Sequence, residues 1–233
     1  SVPSNILEEV SHRILIFHNT VIHTSLSPQR LNALQREINL MKSLSHPNIV
    51  QYFGAAKSGP TLDIFLEYVP GGSIASLIKR FGRLSDDIVK QFTKQIVIGL
   101  LYLHENRIVH RDIKGANILI NVEGIIKLAD FGASKRIHDI MTLSTDFKSL
   151  IGTPNFMAPE VITQEGHGRP ADIWSVGCTV LEMYTGKPPF SECTTAAAVM
   201  FKIASTTEPP MYSDCIPPDA KDFLSLCFER DQN

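Results

Sequence analysis

A run of polar residues near the middle of the chain limits what this sequence can fold into. Residues 110–117 read HRDIKGAN, and DFG at 130–132 and APE at 158–160 follow them. The first run places a carboxylate, an ammonium and a carboxamide in one loop, and the second adds another carboxylate. Phosphoryl transfer needs these groups: a carboxylate to accept a hydroxyl proton, oxygen ligands for magnesium, and a positive charge beside the transferred group.

In this order, the three runs resemble the signature of eukaryotic protein kinases. The resemblance implies that Asp112 is the catalytic base and that Lys114 is the cation beside the transferred phosphoryl group. It implies that Asn117 and Asp130 are magnesium ligands, and that the packing of Phe131 reports the active or inactive state. ATP and Mg²⁺ are therefore the expected cofactors.

The same resemblance assigns the contacts of the nucleotide. Glu37 matches the glutamate of the kinase C-helix, because the sequence HPNIV follows it at 46–50. Glu67 and Val69 match the hinge, where the Glu67 carbonyl and the Val69 amide would pair with adenine. Leu66 would be the gatekeeper side chain, and Leu119 would lie under the adenine. A plain edge strand and an ordinary core leucine are the alternatives for these positions.

The type of substrate is indicated by the loop and by four motifs in and around it. A lysine at position 114, two residues after the base, is typical of serine/threonine kinases, and Thr153 is expected to bond near the base. The longer motifs together resemble the mitogen-activated protein kinase kinase kinase group: PGGSI at 70–74, GAN at 115–117, GTPNFMAPE at 152–160 and ADIWSVGCTV at 171–180. This resemblance implies a MAP kinase kinase as the protein substrate, with an upstream activating kinase or scaffold as a further partner.

Arg111 points to control by phosphorylation, because a cation beside the base can pair with a phosphorylated segment and order it. The candidate acceptors are Thr142, Ser144, Thr145 and Ser149, which lie between Asp130 and residue 152. Thr145 or Ser149 is the predicted switch. The alternative is that these are ordinary polar loop residues.

The pattern along the chain indicates strands plus one helix in the N-terminal part and a mainly helical C-terminal part, and the resemblance to kinases implies an α+β, bilobal protein kinase fold. Residues 1–68 are predicted to form a small, incomplete β-rich N-lobe with the C-helix, and residues 69–233 a larger, mainly helical C-lobe. Short β-like runs at 14–22 suggest a hairpin, and apolar spacing predicts a helix from Gln29 onward. Ser85 is expected to cap a helix whose apolar face carries Ile88, Phe92, Ile96, Leu100 and Leu103.

Two family features are not visible in the sequence. No glycine precedes Gly54 and no lysine precedes Lys42, so the glycine-rich loop and the strand lysine are not present before Glu37. His23 is a poor substitute for a fixed cation. The arginine expected to pair with Glu160 is also not found. Two interpretations follow: a kinase domain truncated at both ends, with weak ATP affinity and low turnover, or a pseudokinase or scaffold that acts by binding other proteins.

The composition excludes other classes of protein. A net charge of −2 gives no support for nucleic-acid binding, and the longest apolar stretch is too short to cross a membrane. The four cysteines form no metal-binding or disulfide pattern. No secretory signal is recognisable, and a cytoplasmic location is expected.

Overall fold

The computed structural model describes residues 17–23, 38, 41–58, 61–130, 135–136, 153–166, 168–210 and 215–230. The described part has a small antiparallel sheet near its N-terminus and is mainly helical after residue 73. The predicted α+β class is confirmed. The division into lobes at residues 68 and 69 stays a prediction.

The N-terminal sheet contains three strands in the order β1-β3-β2: β1 (Phe17–His23), β2 (Tyr52–Ser58) and β3 (Thr61–Glu67). All of β1 pairs with β3, from Phe17 opposite Glu67 to His23 opposite Thr61. The hairpin expected within residues 14–22 is therefore wrong. Residues 17–22 lie in one strand, because their backbone groups are paired by a distant strand and not by a local turn.

The rest of the described chain contains six α-helices and two small strand pairs. The helices are α1 (Ile74–Phe81), α2 (Asp86–Glu105), α3 (Pro159–Ile162), α4 (Arg169–Thr185), α5 (Ala196–Ser205) and α6 (Pro218–Cys227). The pairs are β4 (Ile108–Val109) with β7 (Lys135–Arg136), and β5 (Ile118–Ile120) with β6 (Ile126–Leu128). No helix in these described ranges is both long and apolar enough to cross a membrane.

The core is built around α4, which packs against α2 and α6. Trp174, Cys178 and Met183 on α4 are fully or almost fully buried. Because α4 is apolar on most sides, its few polar side chains lie inside the protein and need internal hydrogen-bond partners. Asp172 and Glu182 are two of these, and both contact the loop at 110–117.

The structure confirms most of the apolar face that was predicted for helix α2. Phe92, Ile96, Leu100 and Leu103 are buried, but Ile88 is 38% exposed and Val89 is buried in its place. Ser85 is the N-cap residue, although its side chain does not make the capping hydrogen bond. Upstream, Ile38 and Met41 are buried, and the Lys42 amide donates to the Ile38 carbonyl at 3.0 Å, which is helical bonding.

Candidate active site

The loop at 110–117 is attached to the core through one buried carboxylate. Asp172, on α4, is completely buried. Its two oxygens accept the backbone N–H groups of His110 (2.9 Å) and Arg111 (2.7 Å) and the Nε2–H of His104 (2.8 Å). Arg111 has a φ of 71°, in the left-handed region that non-glycine residues rarely adopt. These bonds hold the strained backbone immediately before Asp112 in place.

The carboxylate of Asp112 is held by two neighbours from its own loop. Lys114 Nζ and Asn117 Nδ2 each lie 2.8 Å from Asp112 Oδ2. Asn117 Nδ2 also donates to the Asp112 carbonyl at 2.9 Å. Lys114 Nζ in turn donates to Thr153 Oγ1 at 3.0 Å, so Thr153 bonds near Asp112 as expected. The fold thus brings together three of the four predicted catalytic side chains.

Asp130 is connected to this group through the backbone. The Ala129 amide donates to the Asn117 carbonyl at 2.9 Å, and His110 Nε2 donates to the Ala129 carbonyl at 3.2 Å. Asp130 follows with a φ of 64° and an exposed side chain. Burial lowers the pKa of His110, because an imidazolium cation would be desolvated there. The Asp112 amide donates to His110 Nδ1 at 3.4 Å, so the neutral His110 connects the Asp112 backbone with the Ala129 carbonyl, next to Asp130.

Asn117 and Asp130 together offer one amide oxygen and one carboxylate. This is a sparse set of hard oxygen donors, and it fits Mg²⁺, which keeps several waters and is bound mainly through substrate phosphates. Within the described ranges, no group of three or more His, Cys, Asp or Glu side chains is arranged to hold a metal. A closed, all-protein metal site is therefore not present in that part of the chain.

The predicted hinge residues border the same region. Leu66 is partly buried against the core, and Val69 is buried. The segment after Val69 crosses to β5, where the Ile120 amide donates to the Gly72 carbonyl at 2.8 Å. A side chain at Gly71 would place its Cβ 2.2 Å from the Ile120 carbonyl oxygen, so glycine is required for this approach. The crossing brings the hinge backbone next to the strand that carries the predicted adenine neighbour, position 119.

Several predicted residues lie outside the described part of the chain. These are Glu37, Phe131, Thr142, Ser144, Thr145 and Ser149. The backbone of His23 pairs with Thr61, at the end of β3 opposite to Leu66 and Glu67. At about 3.4 Å per residue, this register places the His23 backbone far from the predicted hinge. That His23 is a poor substitute cation stays a prediction.

Arg111 has donors available for a further partner. Its Nε and one Nη are buried and have no hydrogen-bond partner among the described residues. Burial lowers the pKa of the guanidinium, although the nearby Asp172 carboxylate opposes this. The side chain lines a pocket that is also bordered by Thr153 and Met157, beside the catalytic loop. Buried donors of a cation are costly to leave without a partner, and an anion would satisfy those that have none in the described part of the chain.

The absence of the family's arginine partner for Glu160 stays a prediction, but Arg230 places a positive charge near this carboxylate. The Glu160 carboxylate acts on Arg230, where it raises the guanidinium pKa against the lowering effect of burial. Arg230 also lies over the Trp174 ring at 5.6 Å and donates to the Ile203 carbonyl at 3.2 Å.

Sequence reasoning also missed the polar residues of α4 that position the loop. Asp172 was noticed only as part of a motif, and Glu182 was not noticed. Glu182 Oε2 accepts the Gly115 N–H at 3.2 Å, and burial raises the pKa of this carboxyl group. A Cβ at Gly115 would lie 2.5 Å from the same oxygen. The available signal was an acidic residue within an otherwise apolar helix, which requires an internal partner.

Comparisons with known proteins agree with this geometry. The chain matches the protein kinase domain family over residues 15–233. It is 52% identical over 203 residues to mitogen-activated protein kinase kinase kinase 2 of Arabidopsis thaliana, covering 87% of this chain and 31% of that protein. It is 53% identical over 199 residues to mitogen-activated protein kinase kinase kinase A of Dictyostelium discoideum, covering 85% and 21%. With mitogen-activated protein kinase kinase kinase 3 of Homo sapiens, the identity is 48% over 202 residues, covering 86% and 32%.

The chain therefore spans about a third or less of the length of these curated relatives. The family match covers nearly all of the chain, and the relatives share about half of the aligned residues. The chain belongs to the protein kinase family, and the similarity to the mitogen-activated protein kinase kinase kinase group that its motifs indicated is confirmed.

Proposed function

We propose that this chain transfers the terminal phosphoryl group of ATP to serine or threonine hydroxyl groups of a protein, and that this protein is a MAP kinase kinase. The observation that carries the proposal is the arrangement around Asp112, with Lys114 and Asn117 at 2.8 Å and Thr153 connected through Lys114. The names of the relatives support the place in a MAP kinase cascade.

Asp112 is the proton acceptor. Both side-chain bonds to its carboxylate reach Oδ2, and Oδ1 takes part in neither. Oδ1 is therefore the atom that accepts the hydroxyl proton as the substrate oxygen attacks. Lys114, between Asp112 and Thr153, places a positive charge where the phosphoryl group passes. This requires no movement of the loop, because the three side chains are already in contact.

Asn117 and Asp130 are the proposed magnesium ligands. Asn117 uses its Nδ2 for Asp112, which leaves Oδ1 as the ligand atom. A bound Mg²⁺ neutralises charge on the ATP phosphates. The adenine would bond to the Glu67 carbonyl and the Val69 amide, between Leu66 and Leu119, with Glu37 as the C-helix glutamate.

Arg111 is the proposed receiver of a phosphate on the segment between residues 132 and 152. Two of its guanidinium donors are buried and have no partner among the described residues, which supports this role, because a phosphorylated Thr145 or Ser149 would supply strong acceptors. An upstream kinase or scaffold would then control activity in the cytoplasm.

The test is transfer of radiolabel from ATP to a catalytically inactive MAP kinase kinase, in the presence of Mg²⁺. The expected result is label on serine or threonine that depends on Asp112, with none on tyrosine. The matched control is Asp222→Asn, which changes an exposed aspartate on α6. Label on tyrosine would contradict the substrate class. Normal binding of the MAP kinase kinase without any transfer would favour the scaffold interpretation.

A further inference from the structure

The ammonium group of Lys127 bonds to two other segments of the chain, one of which ends at the predicted hinge. Lys127, on β6, places its Nζ 2.8 Å from Glu67 Oε1 and 3.0 Å from the Pro47 carbonyl oxygen. The second oxygen of Glu67 accepts the Gln51 N–H at 3.1 Å. The Lys127 and Glu67 side chains are only 11% and 25% exposed. We refer to these contacts of Lys127 with Glu67 and Pro47 as the hinge clasp.

The backbone around the hinge clasp is continuous with both halves of the proposed nucleotide site. On one side, the Glu67 amide donates to the Gln51 carbonyl at 2.8 Å, and Val69 is two residues further along the chain. On the other side, the Leu128 amide donates to the Asn48 carbonyl at 2.9 Å, and Asp130 is two residues beyond Leu128. The adenine contacts and the metal-binding carboxylate are thus connected through this ion pair and through the backbone bonds beside it, which include the Val50 amide to the Leu128 carbonyl at 3.0 Å.

Burial distinguishes this ion pair from others of the same length. Lys90 and Asp86, on α2, are also 2.8 Å apart, but their side chains are 49% and 38% exposed. An exposed pair is screened by water and salt and holds its two ends weakly. The hinge clasp is shielded, and Glu67 and Lys127 each have a further backbone partner. It can therefore fix the relative position of the segments that it joins.

We propose that Lys127 is a positioning residue, which holds the hinge backbone at 67–69 and the strand end at Asp130 at a fixed separation and so prepares the site for a magnesium-bound nucleotide. The inference rests on the proposed function, which places the adenine at the hinge and the metal at Asp130. A site held in its bound geometry does not lose further freedom on binding, so its affinity is higher than that of a loose site.

The test compares three variants of the whole chain: Lys127→Gln, Lys127→Arg, and Lys90→Gln as the matched exposed control. A fluorescent ATP analogue with Mg²⁺ is titrated to measure Kd at low and high salt. We expect Lys127→Gln to raise Kd about tenfold, Lys127→Arg to restore most of the affinity, and Lys90→Gln to change Kd less than about twofold. The effect should persist at about 0.5 M salt, because the pair is shielded.

A second experiment measures, without nucleotide, whether Lys127 couples the hinge backbone to the segment at Asp130. In Lys127→Gln, amide hydrogen exchange should increase about tenfold at both Val69 and Asp130. Burial and the Lys127 charge both lower the pKa of His46 in the unaltered chain. Removing the Lys127 charge should therefore raise that pKa. That shift verifies that the charge was removed locally.

The outcomes separate the two proposals. A lower melting temperature with unchanged Kd and unchanged exchange at Val69 would make Lys127 merely structural and overturn the inference. If the unaltered chain binds no nucleotide, the proposed function fails. The exchange at Val69 and Asp130 then decides the coupling by itself: faster exchange at both sites supports it, and a change confined to β6 refutes it.

Discussion

Replacing Asp172 with asparagine tests how the catalytic loop is held. Asparagine keeps the size of the side chain but has only one acceptor oxygen. In its best orientation this oxygen replaces Oδ2 and keeps the bonds from His104 and His110, while its NH₂ group faces the Arg111 N–H. One buried bond to a charged group is lost, at about 1.5–3 kcal/mol, and the two others lose their charge assistance. We expect the free energy of unfolding to fall by about 2–4 kcal/mol.

The catalytic consequence should be larger than the loss of stability suggests. The Arg111 N–H donates to Asp172, and this bond holds Arg111 at its φ of 71°. The loop before Asp112 can therefore relax once the bond is gone. A displacement of about 1 Å at a catalytic group costs about 100-fold in rate. Turnover should therefore fall about 100-fold while the protein is still folded.

Urea unfolding, followed by the fluorescence of the single, buried Trp174, measures the stability. Initial rates of phosphoryl transfer, measured well below the unfolding transition, give the catalytic effect. Asp222→Asn, at an exposed position, is the control and should change the stability by less than about 0.5 kcal/mol. If Asp172→Asn were as mild as this control in both measurements, Asp172 would not be what holds the loop.

Three further predictions concern the same loop and its control. Gly115→Ala places a methyl group 2.5 Å from a buried carboxylate oxygen and should cost about 1–3 kcal/mol in urea unfolding, whereas Gly54→Ala, with open space around it, should be nearly neutral. The lowered pKa of His110 means that the unfolded chain binds more protons below about pH 6.5, so stability should fall there by up to about 1.4 kcal/mol per pH unit. His110→Phe should flatten that fall, and an unchanged pH profile would contradict the assignment. Replacing both Thr145 and Ser149 with alanine should abolish activation by an upstream kinase in the transfer assay, and an undiminished rate would refute the switch.

The catalytic loop could be predicted from sequence because its chemistry is local. Asp112, Lys114 and Asn117 lie within six positions, so their contacts depend little on the rest of the fold. The bonds that hold the loop are not local. Asp172 and Glu182 approach it from α4, and only the folded core brings them there.

The errors have the same physical origin. The hairpin interpretation assumed a local turn, but β1 is paired by β3. At Ile88 and Val89, neighbouring positions are only 100° apart on a helix, so periodicity alone could not decide which of them faces the core. The partner of Glu160 was judged from spacing along the chain, whereas the fold brings Arg230, which follows α6, close enough for the two charges to interact.

The most direct test of the account is the turnover of the unaltered chain compared with Asp112→Asn, measured together with the nucleotide Kd of both. Asparagine keeps the shape of the side chain but cannot accept the hydroxyl proton. We expect turnover to fall by about 1,000-fold, while the Kd for the Mg²⁺–ATP analogue changes less than about twofold. Equal turnover in the two proteins would contradict the assignment of residues 110–117 as a phosphoryl-transfer loop.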